Sequence, residues 1–198
     1  MNFVKESKIF YDHSGILRAS QAHKAGIHPQ IISRMKSKGV LESIGRGLYR
    51  LKGAPALSQP DIVTIAMKVP QGVLCLISAL AFYEITTEIS RAVNIALKAG
   101  SQKPKVDYPP TKYYWLSEPA FSAGVEVHKI DGVNVRIYSL EKTVTDCFKF
   151  RNKIGMEVAI AALKECITKK HCKIEEIMKF AKINRVEKVM SPYLQALI

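Results

Sequence analysis

The stretch from residue 14 to residue 52, SGILRASQAHKAGIHPQIISRMKSKGVLESIGRGLYRLK, constrains this chain most, because its punctuation leaves few ways to fold it. Ile16 and Leu17 form a short apolar run. Ser20 is placed to cap a short helix over residues 21–25, and Gly26, tolerant of positive φ, ends it. Ile27 is an apolar plug for the turn that follows. Pro29 stands where a first helical residue belongs, since its missing N–H costs nothing there. A helix then runs through PQIISRMKSK and stops at Gly39. Residues 40–44 and 48–51 read as two strands. Gly45, Arg46 and Gly47 make the tight turn between them, the glycines supplying the backbone angles it needs.

At about 100° per residue, Ile31, Ile32 and Met35 fall on one side of the second helix. Gln30, Ser33, Arg34 and Ser37 fall on the other, flanked by Lys36 and Lys38. Two short helices across a tight turn, then a hairpin, resemble a winged helix-turn-helix, which sets its second helix in a DNA groove with the hairpin beside it. On that reading Gln30, Ser33, Arg34 and Ser37 read bases. Gln and Arg suit bidentate contacts to base edges, and Ser hydrogen-bonds to bases or phosphates. Lys24, Lys36 and Lys38 are the phosphate contacts, and Arg46 at the hairpin tip reaches phosphate or a minor groove. The plainer alternatives are a solvated surface helix and hairpin, or a protein-interaction module.

Charge follows the same division. Residues 1–56 carry ten Lys/Arg against three Asp/Glu, a net of +7, residues 57–150 carry +1 and residues 151–198 carry +5, within a total of +13. The two ends are therefore the candidates for a polyanionic partner. Arg151, Lys153, Lys169, Lys170 and Lys173 are candidate C-terminal DNA contacts, with solvated helix surface as the equal alternative. With 47% hydrophobic residues the chain can bury a core. Apolar runs such as residues 73–77 are far short of the ~18 residues a membrane span needs, and the first fifteen residues lack the apolar centre of a signal peptide. No membrane partner and a cytoplasmic location are expected. Cys75, Cys147, Cys166 and Cys172 read as reduced, mostly buried thiols.

The run GAPALSQP at residues 53–60 reads as a linker, so domains are expected at 1–56 and 57–198. Beyond it, residues 61–69 and 73–85 read as helices. Val93–Leu97, Lys112–Leu116, Val125–Ile130 and Val133–Tyr138 have strand composition, with Asp131 and Gly132 a hairpin turn. The loop 100–111 is irregular and exposed. Ser139 caps a helix over 140–150 with Leu140, Val144, Cys147 and Phe148 inward. Gly155 precedes another with Val158, Ala162 and Leu163 inward, and helices follow near 173–182 and 185–197. The expected fold class is α+β: an N-terminal winged helix-turn-helix followed by a mixed domain with a small β-sheet and C-terminal helices.

Catalytic chemistry is hard to find. Glu84 and Glu88 stand one helical turn apart, as surface charges often do. Cys166, His171 and Cys172 match no zinc spacing and lack a fourth ligand. His128 lies on a strand without an obvious partner, and Asp146 and Arg151 suggest a structural ion pair or cap. There is no P-loop, no nucleophile elbow and no H-E-x-x-H. The chain is expected not to be an enzyme, with no catalytic residue, cofactor or metal.

Three runs then carry a family resemblance. GILRASQAHKAGIHPQIISRMKSKGVLESIGRGLYRL is similar to the winged-helix segment of the AbiEi family of antitoxins. LISALAFYEIT resembles the helix that follows in that family, and YSLEKTVTDCFKFRNKIGMEVAIAALKE resembles its C-terminal domain. The resemblance implies an antitoxin of a type IV toxin–antitoxin system, linked with abortive infection and phage defence, that also represses its own operon. The implied partners are double-stranded DNA, at inverted repeats in its own promoter, and an AbiEii-like nucleotidyltransferase toxin, opposed without a stable complex. The C-terminal domain would be needed for antitoxicity and would contribute to repression. Two readings of other classes stand beside it: a regulator of transcription alone with a C-terminal sensing domain, and a cryptic toxin-neutralising enzyme.

Overall fold

Helix α1 (Val4–Asp12) opens the chain and buries Phe10 completely. In the computed structural model, which describes residues 3–197, it leads into β1 (Ile16–Arg18), α2 (Ala19–Lys24), α3 (Pro29–Ser37), β2 (Leu41–Gly45), β3 (Leu48–Leu51) and α4 (Pro60–Lys68). Strand β3 is central in an antiparallel sheet of order β1-β3-β2, with Ile16 opposite Arg50 and Leu41 opposite Leu51. Phe10, Leu17, Ala22, Ile27, Ile32, Met35 and Leu41 close one apolar core with Leu51 and Ala54. Gly15 is required where it stands. Its φ is +78°, and a Cβ there would lie 2.4 Å from the Ala54 Cβ.

Two local expectations change in this unit. Helix α1 lies in a segment whose polar character hid it; two charged residues, Lys5 and Lys8, ride on its exposed side while Phe10 anchors the other. The cap of α2 is Arg18 rather than Ser20, because β1 stays extended through Arg18 and the chain turns there. The Arg18 backbone N–H donates to Gln21 Oε1 at 2.9 Å.

The contacts divide the chain into a first unit that runs to Pro70 and takes in Lys129–Val135, and a second made of Gln71–His128 and Arg136–Ile198. This division does not fall after residue 56. Residues 53–60 are held in the first unit by Asp131, whose Oδ2 accepts from the Ser58 backbone N–H at 2.8 Å, from Ser58 Oγ at 3.1 Å and from the Gln59 N–H at 3.4 Å. A carboxylate at the start of α4 satisfies N–H groups that the helix leaves open.

The second unit contains β4 (Val73–Leu74), α5 (Leu76–Phe82), β5 (Val93–Lys98), β6 (Thr111–Leu116), β7 (Val125–Ile130) and β8 (Val133–Tyr138), the last two meeting at the Asp131-Gly132 turn that belongs to the first unit. The five strands lie in the order β6-β5-β4-β8-β7. Helices α6 (Leu140–Lys149), α7 (Arg151–Ile154), α8 (Met156–Thr168), α9 (Ile174–Asn184) and α10 (Glu187–Gln195) follow. The expected helix over 73–85 is two elements. Val73 and Leu74 pair with Ala96 and Ile95 of β5, and Leu74 pairs with Ile137 of β8, before α5 begins. A strand buried on both faces is continuously apolar and so imitates a helix in sequence.

Helix α6 is the axis of this unit, packed against α5, α8 and α9. Ser139 caps it, its Oγ accepting from the Lys142 N–H at 3.3 Å. Every residue from Lys142 to Phe148 is buried, polar ones included. Lys142 Nζ pairs with Asp146 one turn on, and lies 4.3 Å from the centre of the Tyr138 ring. Arg151 does not pair with Asp146; its Nη1 donates to the Phe148 carbonyl oxygen at 2.8 Å.

The cysteines divide. Cys75 and Cys147 are free and buried, whereas Cys166 and Cys172 form a disulfide across the turn after α8. The expectation of reduced thiols is corrected at that pair. His171, left-handed at φ +52°, bends the chain so that the Cys172 N–H donates to the Cys166 carbonyl at 3.0 Å, which brings the two side chains together.

Candidate nucleic-acid interface

The interface is built on a stiff turn between α2 and α3. Gly26 takes φ +88°, and the Ile27 N–H returns to the Ala22 carbonyl at 2.9 Å, so the Ile27 side chain enters the core as a plug. His28 then caps α3, with Nδ1 accepting from the Gln30 N–H at 3.3 Å, and Pro29 occupies the first turn. With Ile32 and Met35 buried and Ile31 packed against the same core, the helix has one orientation. Gln30, Ser33, Arg34 and Ser37 are all exposed along its other side. The Ser37 hydroxyl donates to the Arg34 carbonyl at 2.9 Å, which leaves its oxygen as an acceptor toward a partner.

Beside α3 stands the β2–β3 hairpin. Its register slips between Ser43 and Gly45, and Ser43 Oγ donates to the Gly45 carbonyl at 3.1 Å. Gly47 at the tip has φ +65°, and its carbonyl accepts from the Ala19 N–H at 2.8 Å, fixing the wing to the start of α2. Arg46 is exposed at that tip, and Lys24, Lys36 and Lys38 are exposed on the helices. Arg50 is structural: it meets Glu42 at 3.2 Å and donates to the carbonyls of Ala54 and Pro55 at 3.1 and 2.8 Å.

The C-terminal cations belong to two separate segments. Arg151 is half-buried and spent on Phe148, as described. Lys153 is exposed, 5.7 Å from the ring centres of both Tyr114 and Phe150. Lys169 pairs with Glu165 at 2.6 Å, and Lys170 and Lys173 are exposed around the disulfide turn.

Other candidates find partners that spacing hid. Glu84 and Glu88 are not on one helix: α5 ends before them, with Glu84 left-handed at φ +59°, and both line an open recess with Glu157 and Glu165. His128 has company. Its Nε2 lies 2.9 Å from Glu126 Oε2, and its ring stands edge-on to Phe82 at 4.9 Å between centres. Tyr83 Oη shares that carboxylate at 3.0 Å, and burial together with this bond raises its pKa. Among the described residues, no group of three or more His, Cys, Asp or Glu is placed to hold a metal ion. None of their helices is long and apolar enough to cross a membrane.

Helix, turn, second helix and wing, followed in the chain by a second unit of mixed sheet and helices, define an α+β chain with a winged-helix segment. Residues 7–52, from α1 through β3, match the family described as "Transcriptional regulator, AbiEi antitoxin". The fold is similar to that in the crystal structure of the RV2827C protein from Mycobacterium tuberculosis, with a TM-score of 0.63 and 12% sequence identity, over 98% of this chain and 78% of that one. At that identity the likeness is one of fold. A comparison with curated protein sequences returns no match.

Proposed function

We propose that this chain is the antitoxin of a type IV toxin–antitoxin system and the repressor of its own operon. The observation that carries the DNA-binding half is the exposed row Gln30, Ser33, Arg34 and Ser37 on α3, held by a buried opposite face and flanked by the Arg46 wing. Gln30 and Arg34 read base edges in a major groove. Lys24, Lys36, Lys38 and Arg46 hold the backbone on either side. Inverted repeats would place two copies of the chain on one promoter. The second unit carries antitoxicity toward a nucleotidyltransferase-like toxin, and it works by binding rather than by catalysis. The match of residues 7–52 to the AbiEi family supports the regulator and antitoxin roles together.

The test is a gel shift with the DNA immediately upstream of this chain's own reading frame, against an unrelated duplex as competitor. Specific binding in two steps that weakens with salt supports the autorepressor. Binding no tighter than to the competitor overturns it. Rescue of growth on co-expression with the neighbouring toxin tests the second half separately.

A further inference from the structure

The second unit's sheet ends at β6, which pairs with β5 in parallel from Val93 opposite Thr111 to Lys98 opposite Leu116. Its outer edge has no strand beside it among the described residues. Trp115, between the buried Tyr114 and Leu116, faces away from the core and is 41% exposed. It is nevertheless held in place, because its Nε1 donates to the Ser101 carbonyl at 3.0 Å. Tyr113, two residues earlier and so on the same face of the strand, sets its ring 6.2 Å away between centres. The Tyr113 hydroxyl is shut from solvent and completes no hydrogen bond, with the Thr111 side chain as its polar neighbour.

Beside these rings lies a recess of about 390 Å³ along the strand edge, lined also by Tyr114 and by three cations from three segments: Lys103 from the loop after β5, Lys112 from β6 and Lys153 from α7. None of its lining residues is acidic. Lysines on an edge strand commonly serve only to discourage strand pairing. That role explains Lys112 but not a pinned, open indole ring or a lysine delivered from a separate helix.

We propose that this edge is a binding site for single-stranded nucleic acid, distinct from the winged-helix surface. Fixed aromatic faces stack unpaired bases, and the lysines neutralise the phosphates that run beside them. A duplex offers the phosphates but keeps its bases stacked on one another, so it engages only half of the site. An acidic peptide would satisfy the lysines and pair with the edge, leaving the ring without a role.

Trp115 is the one tryptophan of the chain, so its fluorescence reports the site directly. Full-length protein is titrated with single-stranded RNA and DNA of about 10 nucleotides, with the duplex of the same sequence, and with an acidic peptide of matched charge. Salt-sensitive quenching by either single strand, at least tenfold weaker with the duplex and the peptide, is the expected result. In labelled-oligonucleotide anisotropy, Trp115→Ala weakens single-strand binding about tenfold while Trp115→Phe retains most of it. The doubly substituted Lys112→Glu, Lys153→Glu chain, altered only at exposed positions, loses it as well. Arg34→Ala leaves it unchanged, which separates this site from the α3 surface. No quenching by single strands, equal quenching by the peptide, or full single-strand affinity in the double lysine variant overturns the proposal.

Discussion

Asn184 Nδ2 donates a 2.7 Å hydrogen bond to Asp146 Oδ1, tying α9 to α6 where both side chains are buried. The same amide donates to Thr145 Oγ1 at 2.9 Å, and Lys142 meets the carboxylate from its own helix. Four polar or charged side chains from two helices are thus joined in one network inside an apolar core, with Asp146 Oδ2 and Asn184 Oδ1 left without a partner. Such a network is costly to break from one side, because the partner left behind has no water to replace what it lost.

Asp146→Ala therefore destabilises the chain by about 3–5 kcal/mol, because it leaves Lys142 and Asn184 without their shared partner in the core. Asn184→Ala costs about 1.5–3 kcal/mol, the range for a hydrogen bond to a charged group. The double variant falls short of the sum, since both changes empty one network. Urea unfolding of the four proteins measures all three quantities, and strict additivity would show that the two side chains act independently.

Acid stability follows from the same carboxyl. Burial, the largest influence, outweighs the lowering by Lys142 and Asn184 and raises the Asp146 pKa above its ordinary 3.8. A carboxyl whose folded pKa is raised stabilises most below the unfolded value and loses that contribution as pH climbs through the raised one. The stability advantage of the native chain over Asp146→Asn is thus greatest below pH 3.8 and shrinks above it. Melting temperatures of the two proteins across the acid range check the sign; an advantage that grows with pH would reverse it.

On the DNA side, Arg34→Ala weakens promoter binding by about 1–3 kcal/mol and relaxes sequence preference at one position. Lys36→Ala weakens binding to all duplexes alike and lowers the salt slope by about one. Anisotropy titrations at several salt concentrations separate the two. Arg34→Ala with unchanged affinity would remove α3 from the readout.

Thiol chemistry gives a structural count. Burial raises the pKa of Cys75 and of Cys147, with the Asp146 charge adding to it, so both stay as unreactive thiols in the folded chain. Alkylation of the native, oxidised protein should label neither. Gentle reduction frees the thiol of half-buried Cys172 for labelling ahead of the buried Cys166, and only unfolding adds Cys75 and Cys147. Rapid labelling of Cys147 in the native state would contradict the packing around α6.

Local signals were legible where one residue decides the backbone. Gly26, Pro29, Gly39, Ser139 and the Asp131-Gly132 turn each act within a few residues of themselves, and the helices and strands they bound stand within a residue or two of expectation. Helix α1 was hidden because a single buried Phe10 supplies its anchor, too little for a period to show. The Val73-Leu74 strand was hidden because burial on both faces erases alternation. For the interface, the polar face of α3 can be read from spacing alone. The Trp115 recess cannot, since Lys103, Lys112 and Lys153 stand on separate segments of the chain.

By itself the sequence determined the turn, the helix polarity and the wing, because capping, positive φ and the apolar stripe are properties of neighbouring residues. It also determined the excess of positive charge at both ends. Only the tertiary structure decided that Asp131 would hold Ser58, that Asn184 would reach Asp146, and that Cys166 would meet Cys172 rather than stay reduced. These depend on which distant or turned-back segment supplies the partner. A residue type announces its need for a partner, but packing decides which one satisfies it.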